Sequence, residues 1–435
     1  MNIELAKGVR DFLPEDKIFR DDLINKMISV FQRYGYSPLE TPSIERLDTL
    51  TAKFAAGTDS DAIREIFKFK DQGNRDLGLR FDLTVPFSRV IAMNPTLKMP
   101  FKRYEIGRVF RDGPIKLGRY REFWQCDVDI AGCASVKAEA ELILLAIDVF
   151  KELGLKKLGL DYYIEFNNRK VLYGIMHYCD IPDDLIDSVI ISIDKLKKQG
   201  VNSVREELIN KGLNDDHIKK LFEVLSIDGS INERLNKLRQ VMNSEIGIDG
   251  LNELEELIGY LGFVESGKIV FNPSLARGLS YYTGIIFEGF LKNSKITSSI
   301  CAGGRYDNMI GLYAENARSY PAVGISFGLE PITDALKLSS IERKRTLTQL
   351  YIIPIQTFKE SLIIASELRN AGLNVDIDLM NRGLSKNLDY ANSLKIPFVA
   401  FIGDSELKEN KIKLKNLHTG KEELLDISEV IKKVS

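Results

Sequence analysis

The spacing of apolar residues changes twice along this chain of 435 residues, and that change restricts the folds open to it. Up to residue 167, short apolar alternations typical of strands mix with stretches of helical spacing. Residues 168–262 are rich in Lys, Glu, Leu and Ile at helical period, and strand signals return just afterwards. We therefore interpret 1–167 and 263–340 as one discontinuous β-rich domain, interrupted by a helical insertion over 168–262.

A third pattern begins after the charged bridge at 341–346. Strand and helix signals alternate there in βαβαβ order, over Leu350–Pro354, Glu360–Ala371, Val375–Leu379, Gly383–Leu394 and Phe398–Ile402. Such alternation predicts a small doubly wound α/β domain with a parallel sheet, which we assign to residues 346–435. The length of the chain agrees with two or three domains, so the expected fold class is multidomain α+β.

Within the β-rich domain, the apolar pattern predicts individual elements. A helix is expected from Lys17 to Tyr34, closed by Gly35, and another over Leu83–Met93. A long polar loop, 111–121, should join two strands, and loops of this length are usually functional. The remaining predicted elements are those two strands (104–110 and 123–130), a hairpin (66–69 and 77–81), a helix (136–153) and strands at 162–166, 268–271, 282–290, 297–302 and 323–327.

Charge and cysteine content exclude several classes of protein. Lys and Arg number 60 against 62 Asp and Glu, so the net charge is −2 and any polyanion must meet a local basic patch. The four cysteines form no CxxC pair, which favours a reducing, cytoplasmic compartment. With three histidines, a multi-histidine metal site, and hence zinc, is not expected. No apolar run reaches the roughly 18 residues of a membrane span, so we expect no membrane partner.

A dense basic stretch lies at residues 102–121. It holds seven Lys and Arg against two acidic residues, a local net charge of +5. Arginine forms planar, bidentate contacts with phosphates and carboxylates, so a strand-borne arginine beside a flexible basic loop is suited to hold a triphosphate. Composition alone leaves open that this stretch is only a solvated charged hairpin.

Two glycine-containing segments further along the chain form a second candidate. They are Leu275–Gly284, which contains Arg277 and two tyrosines, and Ala302–Asp307, which contains a pair of glycines. Paired glycines admit close backbone approach to a ligand, and tyrosines offer an apolar wall with a hydrogen-bonding tip. Either segment by itself is equally a β-turn with packed tyrosines.

Taken in order, these segments resemble the motifs of the histidyl-tRNA synthetase family, a branch of the class II aminoacyl-tRNA synthetases. The likeness extends over nearly the whole chain, least well over the helical insertion. The sequence of residues 122–127 is closer to that of the archaeal and eukaryotic branch of the family than to that of the usual bacterial branch. The matching segments are motif 2 (Arg108–Arg111 and Gly118–Asp129), two signature peptides (Leu275–Glu288 and Ala302–Asp307), the N-terminal region with motif 1 (Lys7–Pro14 and Tyr36–Pro42) and the amino-acid-binding strand (Arg80–Thr84).

This resemblance implies a fold and an activity. The β-rich domain would be the class II catalytic core, built on an antiparallel sheet, and residues 346–435 would be an anticodon-binding domain. The implied reaction is activation of L-histidine by ATP, with Mg²⁺ bound to the nucleotide, to give histidyl-adenylate. Transfer of histidine to tRNA(His) follows, for protein biosynthesis. The resemblance also implies a cytoplasmic homodimer.

The resemblance also assigns roles by position. Arg111 and Arg277 match catalytic arginines that grip the α-phosphate from two sides, and cationic clamps are what charge development at phosphorus requires. The other matches are Arg119 with the β- and γ-phosphates, Glu122 and Phe123 with the adenine, Asp82, Thr84 and Gln125 with the α-ammonium of histidine, and Asp129, Tyr282 and Tyr306 with the imidazole. For the transfer step, a phosphate oxygen of the adenylate is implied as the base.

Two positions depart from the family pattern. Motif 3 usually continues Gly-Leu-Glu with an arginine for the γ-phosphate, whereas this chain has Pro331, which removes that third clamp or begins a helix as its first residue. Ser280 stands where an aspartate is common. Pro331 keeps an alternative open: a non-charging paralogue such as the regulatory subunit of ATP phosphoribosyltransferase, although that paralogue usually lacks the C-terminal module.

Residues 324–328 also fit the GxSxG pattern of an α/β-hydrolase nucleophile elbow, with Ser326 as the nucleophile and His418 last in the chain. A five-residue pattern recurs by chance, and no oxyanion-hole peptide accompanies this one. On the synthetase interpretation we expect Ser326 to be dispensable.

Overall fold

The structure, a computed structural model, describes residues 3–52, 61–115, 118–277, 281–314, 320–339 and 343–435. The chain forms two compact units. The first consists of Met1–Arg10 and Leu23–Ile341, and the second of Asp11–Asp22 and Glu342–Ser435. No helix in the described ranges is long and apolar enough to cross a membrane.

The first unit is built around a large sheet. Its described strands are β1 (Ser37–Pro38), β2 (Ile44–Arg46), β3 (Lys68–Lys70), β4 (Asp76–Leu79), β5 (Phe101–Phe110), β6 (Glu122–Ala131), β7 (Tyr162–Asn168), β8 (Ile269–Phe271), β9 (Ile285–Leu291), β10 (Cys301–Arg305) and β11 (Ala322–Gly328). Eight of them form one sheet in the order β1-β5-β6-β11-β10-β9-β7-β8, and β2-β4-β3 form a second. The six central strands pair antiparallel, which confirms the expected antiparallel core, while β1 and β8 pair parallel at the edges.

Helices precede, separate and follow these strands along the chain, and the first of them begins within Asp11–Asp22 of the second unit. Those described are α1 (Pro14–Arg33), α2 (Leu47–Thr51), α3 (Asp61–Arg64), α4 (Thr84–Met93), α5 (Lys137–Glu152), α6 (Arg169–Tyr178), α7 (Asp183–Ile193), α8 (Leu196–Asn210), α9 (Asp215–Leu225), α10 (Ile231–Val241), α11 (Glu245–Leu261) and α12 (Leu329–Lys337). The predicted helices at 17–34, 83–93 and 136–153 are confirmed as α1, α4 and α5. Six helices, α6 to α11, lie in sequence between β7 and β8, and the domain division at 167 and 263 stays a prediction.

One face of the eight-stranded sheet is apolar and packs on helices. Cys126 and Phe327 are cross-strand neighbours in β6 and β11, and both are fully buried. The ring of Phe327 lies 5.8 Å from that of Phe31 in α1 and 6.0 Å from that of Phe150 in α5. Because side chains alternate along a strand, the odd-numbered residues of β6 face the opposite side of the sheet.

Two predicted strands are displaced in the structure. The strand expected at 297–302 is β10, and the strand expected at 282–290 is β9. Glycine weakens a strand, so the sequence indicates an end before the pair Gly303-Gly304. The strand instead runs through both glycines, which are needed there: a Cβ on Gly303 would lie 2.2 Å from the carbonyl oxygen of Gly324 on β11.

The second unit has a mixed five-stranded sheet. Its elements are β12 (Leu350–Pro354), α13 (Phe358–Asn370), β13 (Val375–Ile377), α14 (Leu384–Ser393), β14 (Phe398–Ile402), α15 (Asp404–Lys408), β15 (Ile412–Asn416), β16 (Glu422–Leu425) and α16 (Ile427–Val434). The strand order is β13-β12-β14-β15-β16. The predicted βαβαβ alternation is confirmed, but only its three strands are parallel. The last two strands pair antiparallel, β15 with β14 after the short helix α15, and β16 with β15 after the turn at 417–421.

Candidate active site

The polar face of the eight-stranded sheet gathers residues from distant parts of the chain. Strands β5, β6 and β11 lie side by side, and their register aligns six residues in two adjacent rows. The rows are Arg103, Asp129 and Gly324 in the first, and Glu105, Asp127 and Ser326 in the second. Cross-strand neighbours on one face have Cβ atoms about 5 Å apart, so these rows form a continuous surface, which we call the polar floor.

Asp129 is a buried acceptor within the polar floor. The hydroxyl of Tyr306 donates to its Oδ1 at 2.5 Å, and a terminal nitrogen of Arg103 lies 2.8 Å from its Oδ2. Burial raises the pKa of Asp129, although the charge of Arg103 and the hydrogen bond from Tyr306 oppose that rise. A Cβ on Gly324 would lie 1.9 Å from Oδ1, so only glycine leaves room for this carboxylate. The structure therefore brings together two of the predicted imidazole-binding residues.

Asp127 lies two residues earlier on the same face and is also buried. Burial raises the pKa of Asp127 to about 8, against the charge of Arg103 and with a contribution from Asp129. Ser326 is the cross-strand neighbour of Asp127, and its hydroxyl opposes the rise in the pKa of this carboxyl. Gln125 in turn donates from Nε2 to Ser326 Oγ at 2.8 Å, and its Oε1 is buried without a hydrogen-bond partner among the described residues.

Asp82 and Thr84 stand at the start of α4. Asp82 is buried, and its Oδ1 accepts a hydrogen bond from the backbone N–H of Val85 at 3.0 Å. The negative charge of Asp82 contributes to the raised pKa values of Asp127 and Asp129, which places it beside the polar floor. Thr84 is the first residue of α4 and is half-buried.

The loop after β5 carries the first predicted phosphate-binding arginine. Arg111 donates from Nε to the carbonyl oxygen of Phe81 at 3.0 Å, and its guanidinium carbon lies 5.1 Å from the centroid of the Phe123 ring. Burial lowers the pKa of Arg111, and the charge of Asp82 opposes that change. Arg111, Phe123 and Asp82 therefore lie near one another. They are the residues predicted to contact the α-phosphate, the adenine and the ammonium.

The other two predicted residues of this hairpin are held in ion pairs. Arg119 pairs with Glu65 at 2.6 Å, and Glu122 pairs with Arg108 at 3.0 Å. Both arginines are exposed, whereas the carboxylates are shielded. Residues 116–117 of the basic stretch lie outside the described residues.

Arg277 and Tyr282 lie on either side of residues 278–280, which are outside the described ranges. Ser280, which departs from the family pattern, is one of these three residues. Arg277 Nε is 3.7 Å from an Oε atom of Glu288, and its guanidinium carbon is 5.0 Å from the centroid of the Tyr282 ring. One terminal nitrogen of Arg277 is buried and has no hydrogen-bond partner in the described part of the chain. A buried cation with an unused donor is suited to bind an anion.

Tyr281, Asp127 and Ser326 contact or adjoin the predicted residues, although none of them is assigned a role in the synthetase site from the sequence. The Tyr281 hydroxyl donates to that of Tyr282 at 3.5 Å, and the Tyr281 ring meets that of Tyr306 edge-on at 6.4 Å. Asp127 was detectable, since alternate residues of one strand share a face. Ser326 was not, because its contacts depend on the register between two distant strands.

Ser326 does not lie on a nucleophile elbow. It is within β11 and is a cross-strand neighbour of Asp127 on β6 and Ala302 on β10. An elbow places the serine on a sharp turn between a strand and a helix. The hydrolase interpretation is therefore wrong.

Pro331 is the third residue of α12, which begins at Leu329, so the prediction that it begins a helix is wrong by two residues. N–H groups in the first turn of a helix have no partner within it, so proline is tolerated at this position too. The preceding Glu330 is buried, and its carboxylate accepts a hydrogen bond from the backbone N–H of Trp124 at 3.0 Å. Motif 3 is thereby joined to motif 2.

These features define a class of protein. The chain has a mainly antiparallel sheet, and the central hairpin of that sheet carries an arginine-bearing loop. It also has a separate α/β unit. The class II aminoacyl-tRNA synthetases combine the same features. A family model described as histidyl-tRNA synthetase matches residues 8–332, and one described as anticodon binding domain matches residues 349–435. The chain belongs to the histidyl-tRNA synthetase family, whose members are aminoacyl-tRNA ligases.

Relatives match along the full length of the chain. Histidine–tRNA ligase 1 of Bacillus cereus is 43% identical over 432 residues, which cover 98% of each chain. The cytoplasmic histidine–tRNA ligase of Oryza sativa subsp. japonica is 37% identical over 98% of this chain and 54% of its own length. The crystal structure of histidyl-tRNA synthetase from Nostoc sp. PCC 7120 has a TM-score of 0.86 at 31% identity, covering 100% of this chain and 99% of that one. Such matches do not favour the regulatory-subunit alternative.

Proposed function

We propose that this chain joins L-histidine to ATP as histidyl-adenylate and then transfers the histidine to tRNA(His). The observation that carries this proposal is the buried carboxylate of Asp129, held by Tyr306 and Arg103 on the same face as Gln125. An imidazole needs an acceptor and a donor for its two ring nitrogens, and a carboxylate beside tyrosine hydroxyls supplies both. Tyr282 is assigned to the same pocket.

In the activation step, a carboxylate oxygen of histidine attacks the α-phosphorus of ATP. The bond from that phosphorus to the oxygen bridging to the β-phosphate breaks, and pyrophosphate leaves. Negative charge on the α-phosphate must be stabilised in the transition state. We assign this to Arg111 and Arg277, because cations held away from water act more strongly on developing charge. The partner-free nitrogen of Arg277 supports the assignment.

The α-ammonium of histidine donates three hydrogen bonds and needs acceptors. We assign it to Asp82, Thr84 and Gln125, of which Gln125 has a buried, partner-free oxygen among the described residues. Asp82, Asp127 and Asp129 lie close enough that their charges raise pKa values within the group. A cation bound beside them relieves this repulsion, which supports placing the ammonium here.

The nucleotide is assigned to the hairpin loop. Phe123 and Glu122 would contact the adenine, and Arg119 would bind the β- and γ-phosphates in exchange for its ion pair with Glu65. Only the arginine of this pair is exposed, at 45%, and water screens its charge, so this exchange has a modest cost. Mg²⁺ is proposed to enter with ATP. Among the described residues no group of three or more His, Cys, Asp or Glu is arranged to hold a metal, and no step is assigned to the ion.

The remaining assignments concern tRNA and assembly. We assign 1–167 with 263–340 to the catalytic domain, 168–262 to a helical insertion and 346–435 to anticodon binding. The match of the anticodon binding domain family over 349–435 supports the last of these. The active form is proposed to be a cytoplasmic homodimer.

Histidine-dependent exchange of pyrophosphate into ATP, followed by charging of tRNA(His), tests this proposal. With Mg²⁺ present we expect both activities from the full-length chain, and no exchange with other amino acids. A chain that binds histidine but neither exchanges pyrophosphate nor charges tRNA would instead be a non-charging paralogue.

A further inference from the structure

Ser326 lies between Gln125 and Asp127 on the polar face of the sheet. Gln125 Nε2 donates to Ser326 Oγ at 2.8 Å, and Ser326 is the cross-strand neighbour of Asp127, where its hydroxyl opposes the rise in the pKa of that carboxyl. Asp127 and Ser326 are cross-strand neighbours, so backbone pairing holds both in place. Ser326 has no role in the activation step described above, and Asp127 contributes there only through its charge beside the proposed ammonium site.

This arrangement determines which end of the Gln125 amide is committed to the protein. A serine hydroxyl has one hydrogen to donate, and its lone pairs accept. Gln125 donates from Nε2 to Ser326 Oγ, so the serine hydrogen is directed to an oxygen of Asp127, which accepts whether or not the carboxyl is protonated. Ser326 therefore binds the NH2 end of the amide. Oε1 of Gln125 is left buried and without a partner among the described residues.

We infer that Ser326 and Asp127 are positioning residues that orient Gln125 so that its oxygen, rather than its NH2 group, receives the α-ammonium of histidine. This inference rests on the proposed function, in which Gln125 binds that ammonium. A reversed amide would present N–H donors to a group that also only donates, and the contact would become repulsive. The inference replaces the expectation that Ser326 is dispensable.

Exchange kinetics separate positioning from a structural role. In Ser326→Ala we expect the KM for histidine to rise about ten-fold, the size of one weakened hydrogen bond to a charged group, while kcat and the KM for ATP change by less than about two-fold. Ser326→Thr keeps a hydroxyl and should restore the wild-type KM. Ser192→Ala removes a buried, hydrogen-bonded hydroxyl in α7 and serves as the matched control, with neither KM changed.

Two histidine analogues locate the effect on the ammonium. L-Histidinol keeps the ammonium and lacks the carboxylate, whereas 3-(imidazol-4-yl)propanoate keeps the carboxylate and lacks the ammonium. By titration calorimetry, Ser326→Ala should weaken binding of L-histidinol about ten-fold and leave the propanoate unchanged. Equal weakening of both ligands, or unchanged binding of L-histidinol, overturns the inference.

Asp127→Ala tests the other half of the network. It should also raise the KM for histidine. The KM of the double variant with Ser326→Ala should not exceed the higher of the two single-variant values, because both residues act through one amide. Additive effects would overturn the inference. If the wild-type chain shows no histidine-dependent exchange, the proposed function itself fails. If the wild type is active and Ser326→Ala equals it, only this inference fails.

Discussion

Two buried polar networks in this chain differ in whether their hydrogen bonds are complete. In the second unit, Asp378 accepts from the backbone N–H groups of Met380 and Arg382, at 3.0 and 2.8 Å, and from Nδ2 of Asn387 at 3.0 Å. Oδ1 of Asn387 accepts from the Tyr351 hydroxyl at 2.9 Å. Although burial opposes it, these hydrogen bonds lower the pKa of Asp378. The network is satisfied by the protein itself.

The polar floor of the first unit is built from similar groups but is incomplete. Gln125 Oε1 and Asp127 Oδ1 are buried without a hydrogen-bond partner among the described residues, and so is one nitrogen of Arg277. Each such group costs roughly 1–3 kcal/mol of folding free energy. Completeness of the hydrogen bonds, more than polarity or burial, distinguishes this structural network from the proposed ligand site.

The largest effect is expected where a ligand completes the site. Arg277→Ala should lower kcat/KM for pyrophosphate exchange by about 100- to 1,000-fold, because the proposed mechanism assigns this cation to the developing charge on the α-phosphate. The unfolding midpoint should change little, since the guanidinium is 3.7 Å from its ion-pair partner Glu288. Arg239→Ala, at an exposed helical ion pair, is the matched control and should exchange normally. A loss below about ten-fold would contradict the clamp assignment.

In the complete network of the second unit, a substitution should lower stability and leave the exchange activity unchanged. Asn387→Ala leaves Asp378 and Tyr351 each short of a partner, and should lower the free energy of unfolding of the second unit by about 2–4 kcal/mol. Trp124, the single tryptophan, lies in the first unit. Urea unfolding should therefore shift in circular dichroism more than in tryptophan fluorescence. Ser393→Ala, at the exposed end of α14, should shift neither. A changed KM for histidine in Asn387→Ala would contradict a purely structural role for the network of the second unit.

A smaller effect should appear as pH changes. Because burial raises the pKa of Asp127 to about 8, folding favours its protonated form. Its contribution to stability is complete below the unfolded value near 4 and is lost as pH rises through about 8. Asp127→Asn cannot ionise, so its stability relative to the wild type should increase from pH 5 to pH 8.

Urea unfolding at several pH values, followed by Trp124 fluorescence, measures this difference. The matched control is Asp378→Asn, because the pKa of Asp378 is lowered instead. Its difference from the wild type should stay constant over the same range. A pH-independent difference for Asp127→Asn would show that folding does not raise the pKa of Asp127.

The smallest effect is expected at the surface. Lys413 pairs with Glu422 at 2.9 Å across β15 and β16, with 45% and 36% of the side chains exposed. Water and salt screen such pairs. Lys413→Ala should shift the thermal unfolding midpoint by no more than about 2 °C. A larger shift would mean that the exposed pair stabilises the second unit as a buried network does.

Local structure was largely predictable from the sequence. The helix at 83–93 and the two strands around the loop at 111–121 are confirmed, because periodicity and turn composition are local signals. The strand at 297–302 was misplaced, because glycine usually ends a strand, and here it permits two strands to approach. Pro331 was misplaced within its helix because several positions of the first turn tolerate proline equally.

The candidate site was predicted through the order of its motifs, which pointed to Arg111, Arg277 and Asp129. Their roles stay predictions. Ser326 was not assigned to the synthetase site, because in the sequence it is noticeable only as the serine of the GxSxG pattern at 324–328. Only its position opposite Asp127 in the sheet reveals its contacts.

The kinds of element, the family and a basic stretch within a nearly neutral chain follow from the sequence. Which polar residues meet follows from the pairing of distant strands. Gln125 and Ser326 are 201 positions apart and touch through their side chains. A slip of one residue between β6 and β11 would turn the acidic side chains to the apolar face. Register is set by pairing between strands far apart in the chain, and no local pattern encodes it.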